Sequence, residues 1–450
     1  MSELWAERAW VGGAWQERVA FTIAGDGTWA EVRVGVDPAP GVARLAGPAV
    51  PGFVDAHSHA FQRAFAGLAE RRETGHDDFW AWRDRMYQVA LRVDLDAMRA
   101  IAAQLYVELL RGGFTEVCEF HYVHNELAGS RYGEPGALSW ALADGAAAAG
   151  IGFTLLPVLY ERAGFTEPAL RDDQRRFATD PSFVLAVRDE ARARGLRAGV
   201  AVHSLRAASP ASIGELVAGA EEGPIHIHVA EQVAEVEACV AATGLRPVEW
   251  LTRNVPLGPS WHLVHATHVT GAEVEAVAAT GAGVVLCPTT EANLGDGLTD
   301  LPGWLEHGVP LSVGTDSHVG RDALAELRLA ELGQRLGLRE RNVAADPARE
   351  PATAARLVEV VERGGAAAAG FDRWGFEPGA RADLLVLDPR HEALLGVPPS
   401  HALDTLVFAG GAGCWRDVMV AGRWVVREGA HPAATEIARD FERAMRALWA

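Results

Sequence analysis

The chain has 450 residues, 49% of them hydrophobic, and a formal net charge of −19. That length suggests roughly three units of about 150 residues or an α/β barrel of about 250 or more, and the acidic balance argues against nucleic acid or an anionic membrane as partner. All 41 basic residues are arginine, which excludes a Schiff-base lysine or a lysine bridging two metals, and the four scattered cysteines read as reduced thiols of a cytoplasmic protein rather than a disulfide framework.

Residues 1–50 read as short strands with turns, and AGDG between alternating apolar residues is a hairpin signal. The opening MSELWAERAW carries charges where a signal peptide needs an apolar stretch, and no run approaches about 18 apolar residues. This first segment is too short to be stable alone. Residues 381–450 offer it a partner: ADLLVLD, DTLVFAG, DVMVAG and RWVVREG are again short strands with glycine turns, followed by a helical stretch from Ala434 to Trp449. The two ends are expected to meet in one small β-sandwich domain.

Between them, in 51–380, apolar runs alternate with helical stretches. The runs are GFVDA (52–56), EVCEF (116–120), FTLLPVL (153–159), GVAVH (199–203), IHIHV (225–229), WHLVHA (261–266), GVVLC (283–287) and PLSVGTD (310–316). Strand and helix in alternation imply a parallel sheet, and eight units imply a closed (β/α)8 barrel. ADPAREPA (345–352) reads as a loop between late helices.

Active sites of such barrels form at the C-terminal ends of the strands. There stand His57, His59 and Gln62; His121, Tyr122 and His124; His203 and Arg206; His226, His228 and Glu231; His265; and Asp316. Strands three and seven supply no obvious candidate, although Thr289, Glu291 and Asn293 follow strand seven closely. Side chains two apart on a strand point the same way, so His57 and His59 can reach one point, and two neutral imidazoles converging there suit a metal, zinc above all. His226 lies one step deeper than His228 and reads as a core histidine. His121, His124, His262, His268 and His318 read as structural or rim residues.

An H-x-H after strand one, H-x-x-E from strand five, His after strand six and Asp after strand eight resembles the amidohydrolase superfamily, as does the GARADLLVLD segment of the split β-domain. The resemblance covers nearly the whole chain. Members with two metals usually bridge them with a carboxylated lysine. Its absence here, with His203 at the strand-four tip, implies the one-metal branch. His57, His59, His228 and Asp316 would then bind one Zn2+, with iron or manganese also compatible. HSHAFQRAFAGLAER, WRDRMY, TEVCEFHYVHN, HSLRA, HVAEQ, CPTTEANLGDG and GTDSH are similar to the N-formimino-L-glutamate deiminases of that branch, which serve histidine breakdown.

That resemblance implies roles. Asp316 would accept a proton from the attacking water, His265 would orient the nucleophile, and Glu231 would carry a proton to the leaving nitrogen. Arg206 and Arg83 would receive the two carboxylates of a small dicarboxylate amidine, with Gln62, Tyr122 and His203 as hydrogen-bonding partners. Arg63 would face away. A homodimer is implied as well. The alternative is a deaminase of a purine, pterin or related base, for which Trp80 and Trp82 could stack.

Overall fold

In chain order the strands are β1 (Ser2–Val11), β2 (Ala14–Ile23), β3 (Trp29–Arg33), β4 (Ala43–Arg44), β5 (Ala49–Val50), β6 (Phe53–Ser58), β7 (Phe114–His121), β8 (Gly152–Leu159), β9 (Arg197–Ala198), β10 (Val200–Val202), β11 (Ile225–Val229), β12 (Trp261–His265), β13 (Gly283–Leu286), β14 (Leu311–Val313), β15 (Leu384–Leu387), β16 (Trp415–Val420) and β17 (Arg423–Val426). The computed structural model describes residues 2–72, 79–411 and 413–450.

The expected barrel is present. Its sheet runs β14-β13-β12-β11-β10-β8-β7-β6, with β9 beside β8. Every position of β7 is buried, as befits a strand with the barrel interior on one face and helices on the other. The fourth strand departs from expectation. It is broken at Gly199 into β9 and β10, and the Gly199 amide still bonds the Leu155 carbonyl at 3.0 Å.

The last strand also differs: β14 ends at Val313, and residues 314–316 leave the ladder. Closure of the barrel rests on a parallel bridge between Ser58 and Asp316. The Asp316 amide donates to the His57 carbonyl at 2.9 Å, and the His59 amide to the Asp316 carbonyl at 3.3 Å. Gly314 makes this approach possible, because a Cβ there would lie 2.6 Å from the His57 Cβ and 2.7 Å from its amide nitrogen. Beneath, Asp55 accepts hydrogen bonds from the Thr315 amide (2.9 Å) and hydroxyl (2.6 Å). Two candidate ligand segments are therefore joined where the barrel shuts.

The two chain ends build one mixed sheet, β17-β16-β15-β5-β1-β2-β3, with β4 beside β1, but DTLVFAG, expected as a strand, lies instead in the helix Ala402–Ala409. The AGDG hairpin joins β2 to β3, closed by Ala24 N–H to Thr28 O at 2.8 Å. The domain has its own aromatic core, in which the Phe21 ring lies 5.2 Å from Trp29 and 4.9 Å from Phe376. Arg381 ties this domain to the barrel: it pairs with Glu116 of β7 at 2.5 Å and with Asp383 at 2.6 Å. Residues 345–352 form a connection between the helices Ala323–Leu338 and Thr353–Ala368. The terminal helix Ala434–Trp449 packs on the barrel, where Trp449 donates to the Ala64 carbonyl at 3.1 Å. All four cysteines are free and buried. Among the described residues no helix is long and apolar enough to cross a membrane.

Candidate active site

Every site residue expected from the sequence lies at one end of the barrel. His59, Gln62, Arg83, Tyr122, His203, Arg206, His228, Glu231, His265 and Asp316 line a single pocket, and His57 lies at its floor. The side chains come from six strand tips and from the helix Phe79–Ala90.

At the floor, ring nitrogens converge. His57 Nε2 lies 3.1 Å from His59 Nε2 and 2.9 Å from His228 Nε2. Asp316 Oδ1 is 3.6 Å from the first and 3.3 Å from the second. Donors placed tetrahedrally around zinc at about 2.0–2.1 Å stand about 3.4 Å apart, so this spacing matches one small cation. His59 Nδ1–H donates to the Phe120 carbonyl at 2.8 Å, which leaves Nε2 unprotonated and facing the centre. Burial keeps the His57 and His228 imidazoles far below their ordinary range and holds His59 down at about 3, so all three are neutral donors. Three converging lone pairs without a cation would repel. The residues present fit a divalent metal.

Beside this set lies a carboxylate cluster built around His265. Its Nε2 is 3.7 Å from Glu231 and 3.8 Å from Asp316, and its Nδ1 is 3.3 Å from Glu291. Burial alone would lower the His265 pKa, but the carboxylates, Glu231 foremost, outweigh it and raise it to about 10. Burial raises Glu231 to about 7 and Asp316 to about 6. His265 and Asp316 both adopt left-handed backbone, at φ +70° and +49°, and Ala230 before Glu231 does the same at +52°. Non-glycine residues there carry strain of about 1–3 kcal/mol each, held by the surrounding structure and common where side chains must be aimed.

Two arginines line the same pocket. Arg206 follows β10, and the loop carrying it is clamped by Arg162, which donates to the carbonyls of Leu205 (2.7 Å) and Arg206 (3.1 Å). Arg83 projects from the helix Phe79–Ala90, and its Nε finds no partner among the described residues. Gln62 donates to the Tyr122 hydroxyl at 2.9 Å, and that hydroxyl reaches Met86 Sδ at 3.6 Å. His203 contacts Ser204 Oγ through Nδ1 at 3.2 Å.

The histidines read as structural stay so. His226 is fully buried and bonds the Ala368 carbonyl at 2.9 Å. His318 sits between Thr315 Oγ1 at 2.9 Å and Ser58 Oγ at 3.4 Å. His121 and His124 pack on each other, His262 packs on His226, and the His268 amide bonds the Ala230 carbonyl. Arg63 points away and grips Glu108 through two bonds of 2.7 and 3.0 Å. Of the residues after strand seven, Thr289 binds Glu326 and Asn293 binds Glu70, whereas Glu291 turns inward and also accepts the Cys287 amide at 2.9 Å.

Sequence reasoning missed three contributors. Glu235 accepts the amides of Ala230 (3.2 Å) and Glu231 (3.1 Å), fixing the strand-five tip. Asp296 is buried, accepts from Gln232, and is raised to about 9, first by burial and then by Glu231. Tyr160, after strand three, shares the Gln174 amide with Tyr87 at the pocket wall. Only Asp296 left a signal, in the LGDG that closes the CPTTEANLGDG segment.

Comparison with known proteins agrees with this geometry. Residues 49–425 match the amidohydrolase family. A formimidoylglutamate deiminase from Pseudomonas aeruginosa is 45% identical over 98% of both chains. A 5-methylthioadenosine/S-adenosylhomocysteine deaminase from Halobacterium salinarum is 31% identical over 75% of this chain and 72% of its own. A crystal structure of an amidohydrolase from Brucella melitensis superposes with a TM-score of 0.95, at 39% identity and full coverage of both chains. An adenosine deaminase from Xanthomonas campestris, solved with bound zinc, shares the fold at a TM-score of 0.80 and 23% identity, over 99% of this chain and 98% of its own. With three imidazoles and a carboxylate gathered where the barrel closes, and a family match spanning most of its length, the chain belongs to the metal-dependent amidohydrolase family.

Proposed function

We infer that the protein hydrolyses the formimino group of N-formimino-L-glutamate, giving N-formyl-L-glutamate and ammonia. One observation carries this: the pocket pairs carboxylates beside His265 with two arginines. Glu231, Glu291, Asp296 and Asp316 gather around His265, and Arg83 and Arg206 line the pocket that Glu231 and Asp316 also line. The substrate carries the complementary groups, a protonated amidine and two carboxylates. A near full-length relative at 45% identity carries the deiminase name.

His57, His59, His228 and Asp316 would hold the metal, and zinc suits three imidazoles and one carboxylate. A zinc ion held there would supply a water whose pKa is lowered toward about 7. The Asp316 carboxylate takes a proton from the attacking water. His265, held by Glu291, donates a hydrogen bond through Nε2 and steadies the reacting oxygen. Glu231, whose burial keeps it partly protonated at neutral pH, delivers a proton to the terminal nitrogen, so that ammonia leaves instead of amide ion. Water's oxygen replaces that nitrogen on the formimino carbon as its second proton returns to the Glu231 carboxylate, and the bond from carbon to the glutamate nitrogen is kept. Arg206 and Arg83 hold the carboxylates, and Gln62, Tyr122 and His203 complete the polar wall. The setting proposed is histidine breakdown in the cytoplasm, with the enzyme as a homodimer.

The test is ammonia release from zinc-loaded protein offered N-formimino-L-glutamate, with guanine, adenosine and cytosine in parallel. Turnover of formimino-glutamate alone, lost in Arg206→Ala and His228→Ala, is expected. Turnover of a base in its place would overturn the substrate assignment and leave the metal site standing.

A further inference from the structure

The two arginines that face the pocket share an unusual support. The Arg83 guanidinium carbon lies 4.5 Å from the centroid of the Trp80 ring, and the Arg206 guanidinium carbon lies 5.5 Å from the same centroid. They arrive from different elements, Arg83 from the helix Phe79–Ala90 and Arg206 from the loop after β10. Trp80 and Tyr87 lie three before and four after Arg83, on one helical face, and Tyr87 lies 5.3 Å from the Arg83 guanidinium.

Two cations brought together in a half-buried wall would ordinarily be matched by carboxylates. Among the described residues Arg206 has no salt bridge, and Arg83 has one contact of 3.6 Å with the largely exposed Asp84. An aromatic face does a different job from a carboxylate. It attracts the cation through its quadrupole but accepts no in-plane hydrogen bond, so the edge of each guanidinium stays open. Arg83 Nε, buried and without a partner among the described residues, is such an open donor.

We propose that Trp80 is a specificity-determining residue: its ring sets the separation of Arg83 and Arg206 and so selects substrates carrying two carboxylates over those carrying one. This rests on the reading of the pocket as a deiminase site for N-formimino-L-glutamate. Trp80 acts through the arginines and is a positioning residue. Its loss should weaken the binding of the second carboxylate and leave the chemical step at the barrel floor alone.

The experiment compares wild type, Trp80→Leu and Trp80→Phe, zinc-loaded, in two measurements. The first is steady-state kinetics with N-formimino-L-glutamate and with its γ-amide, which has one carboxylate. The second is calorimetric binding of the products N-formyl-L-glutamate and N-formyl-L-glutamine, which needs no turnover. Trp80→Leu should raise KM and the product Kd for the dicarboxylates about tenfold, the scale of a desolvated cation–π contact. It should change the monocarboxylate values by less than about twofold and leave kcat within about twofold. Trp80→Phe, which keeps an aromatic face and guards against a mere folding defect, should recover most of the loss. An equal loss for both ligand classes, a fall in kcat at unchanged KM, or failure of phenylalanine to rescue would overturn the proposal. Wild type that binds the dicarboxylate no better than its amide would overturn it too. Wild type that binds the dicarboxylate selectively but releases no ammonia would instead defeat the deiminase reading and leave the Trp80 assignment supported.

Discussion

Glu291→Gln probes how the site is aimed. Glu291 stands in the first turn of the helix Pro288–Leu294, with Oε1 3.3 Å from His265 Nδ1 and 2.9 Å from the Cys287 amide. Its carboxylate fixes a proton on Nδ1 and favours the charged imidazole, leaving Nε2–H facing Glu231 and Asp316. Glutamine has the same shape, and its amide oxygen can still accept both bonds, so the fold should hold. What is lost is charge. A charge-assisted hydrogen bond is about twice as strong as a neutral one, and partners that orient a catalytic imidazole are worth about 10–100-fold. The expected result is a fall in kcat of that size, about 1.4–2.7 kcal/mol in the barrier. KM should change by less than about threefold, and metal content, read by atomic emission, should stay at the wild-type level. The His265 pKa, raised in part by Glu291, should fall. Unchanged kcat at full metal content would refute the idea that Glu291 acts through His265, and metal loss would place its role at the metal set instead.

Three further outcomes are expected. Gly314→Ala puts a Cβ against the His57 backbone where the barrel closes, and overpacking of this kind costs about 1–3 kcal/mol, read as a lower Tm and a lower metal affinity. Chelation should abolish activity and lower Tm, both restored by zinc, because a ligand at a hundred times its Kd stabilises by about 2.7 kcal/mol; an unchanged Tm would argue against a bound ion in the purified protein. Glu326 is fully buried, and burial raises it to about 8 although the Thr289 amide and hydroxyl both donate to it. A carboxyl whose native pKa is raised above its ordinary 4.5 favours the native state at low pH, and that contribution is lost as pH climbs toward about 8. The Tm advantage of Glu326→Gln over wild type should therefore widen between about pH 5 and about pH 8, and a difference flat in pH would contradict the assignment.

The barrel was legible because its strands are buried on both faces and so appear as apolar runs, and because helical stretches fall between them. What escaped is what depends on contacts across the chain. At the Gly199 break a Cβ would meet the Pro224 carbonyl, just ahead of the neighbouring strand, at 2.2 Å. Early termination of β14 follows from Thr315 and Asp316 turning to bond Asp55 and His57. Left-handed backbone at His265 and Asp316 is hard to read because histidine and aspartate, though tolerant of it, adopt it in a small minority of positions. The H-x-H pair was legible for a local reason: its side chains follow the two-residue period of a strand. Glu291 and Asp296 obey no such period. Each looks like any acid near a short helix, and only folding brings one to His265 and the other to Gln232.

This distribution of carboxylates bears on how a chain of net charge −19 receives a dianion. Four buried acids around His265 are costly unless positive charge offsets them, and burial, with Glu231 adding to it, pushes Asp296 to about 9. A metal ion and a protonated amidine would supply that charge at the floor. The arginines meet the opposite need at the mouth, where Arg162 holds carbonyls of the Arg206 loop and Trp80 faces both guanidiniums without occupying their donors. Each end therefore lacks what one end of the substrate carries, and the molecule that completes both is an amidine joined to two carboxylates. A neutral base could satisfy the floor but would leave the buried Arg83 Nε without an acceptor, a penalty of about 1–3 kcal/mol. Discrimination against bases then follows from the same residues that bind the substrate.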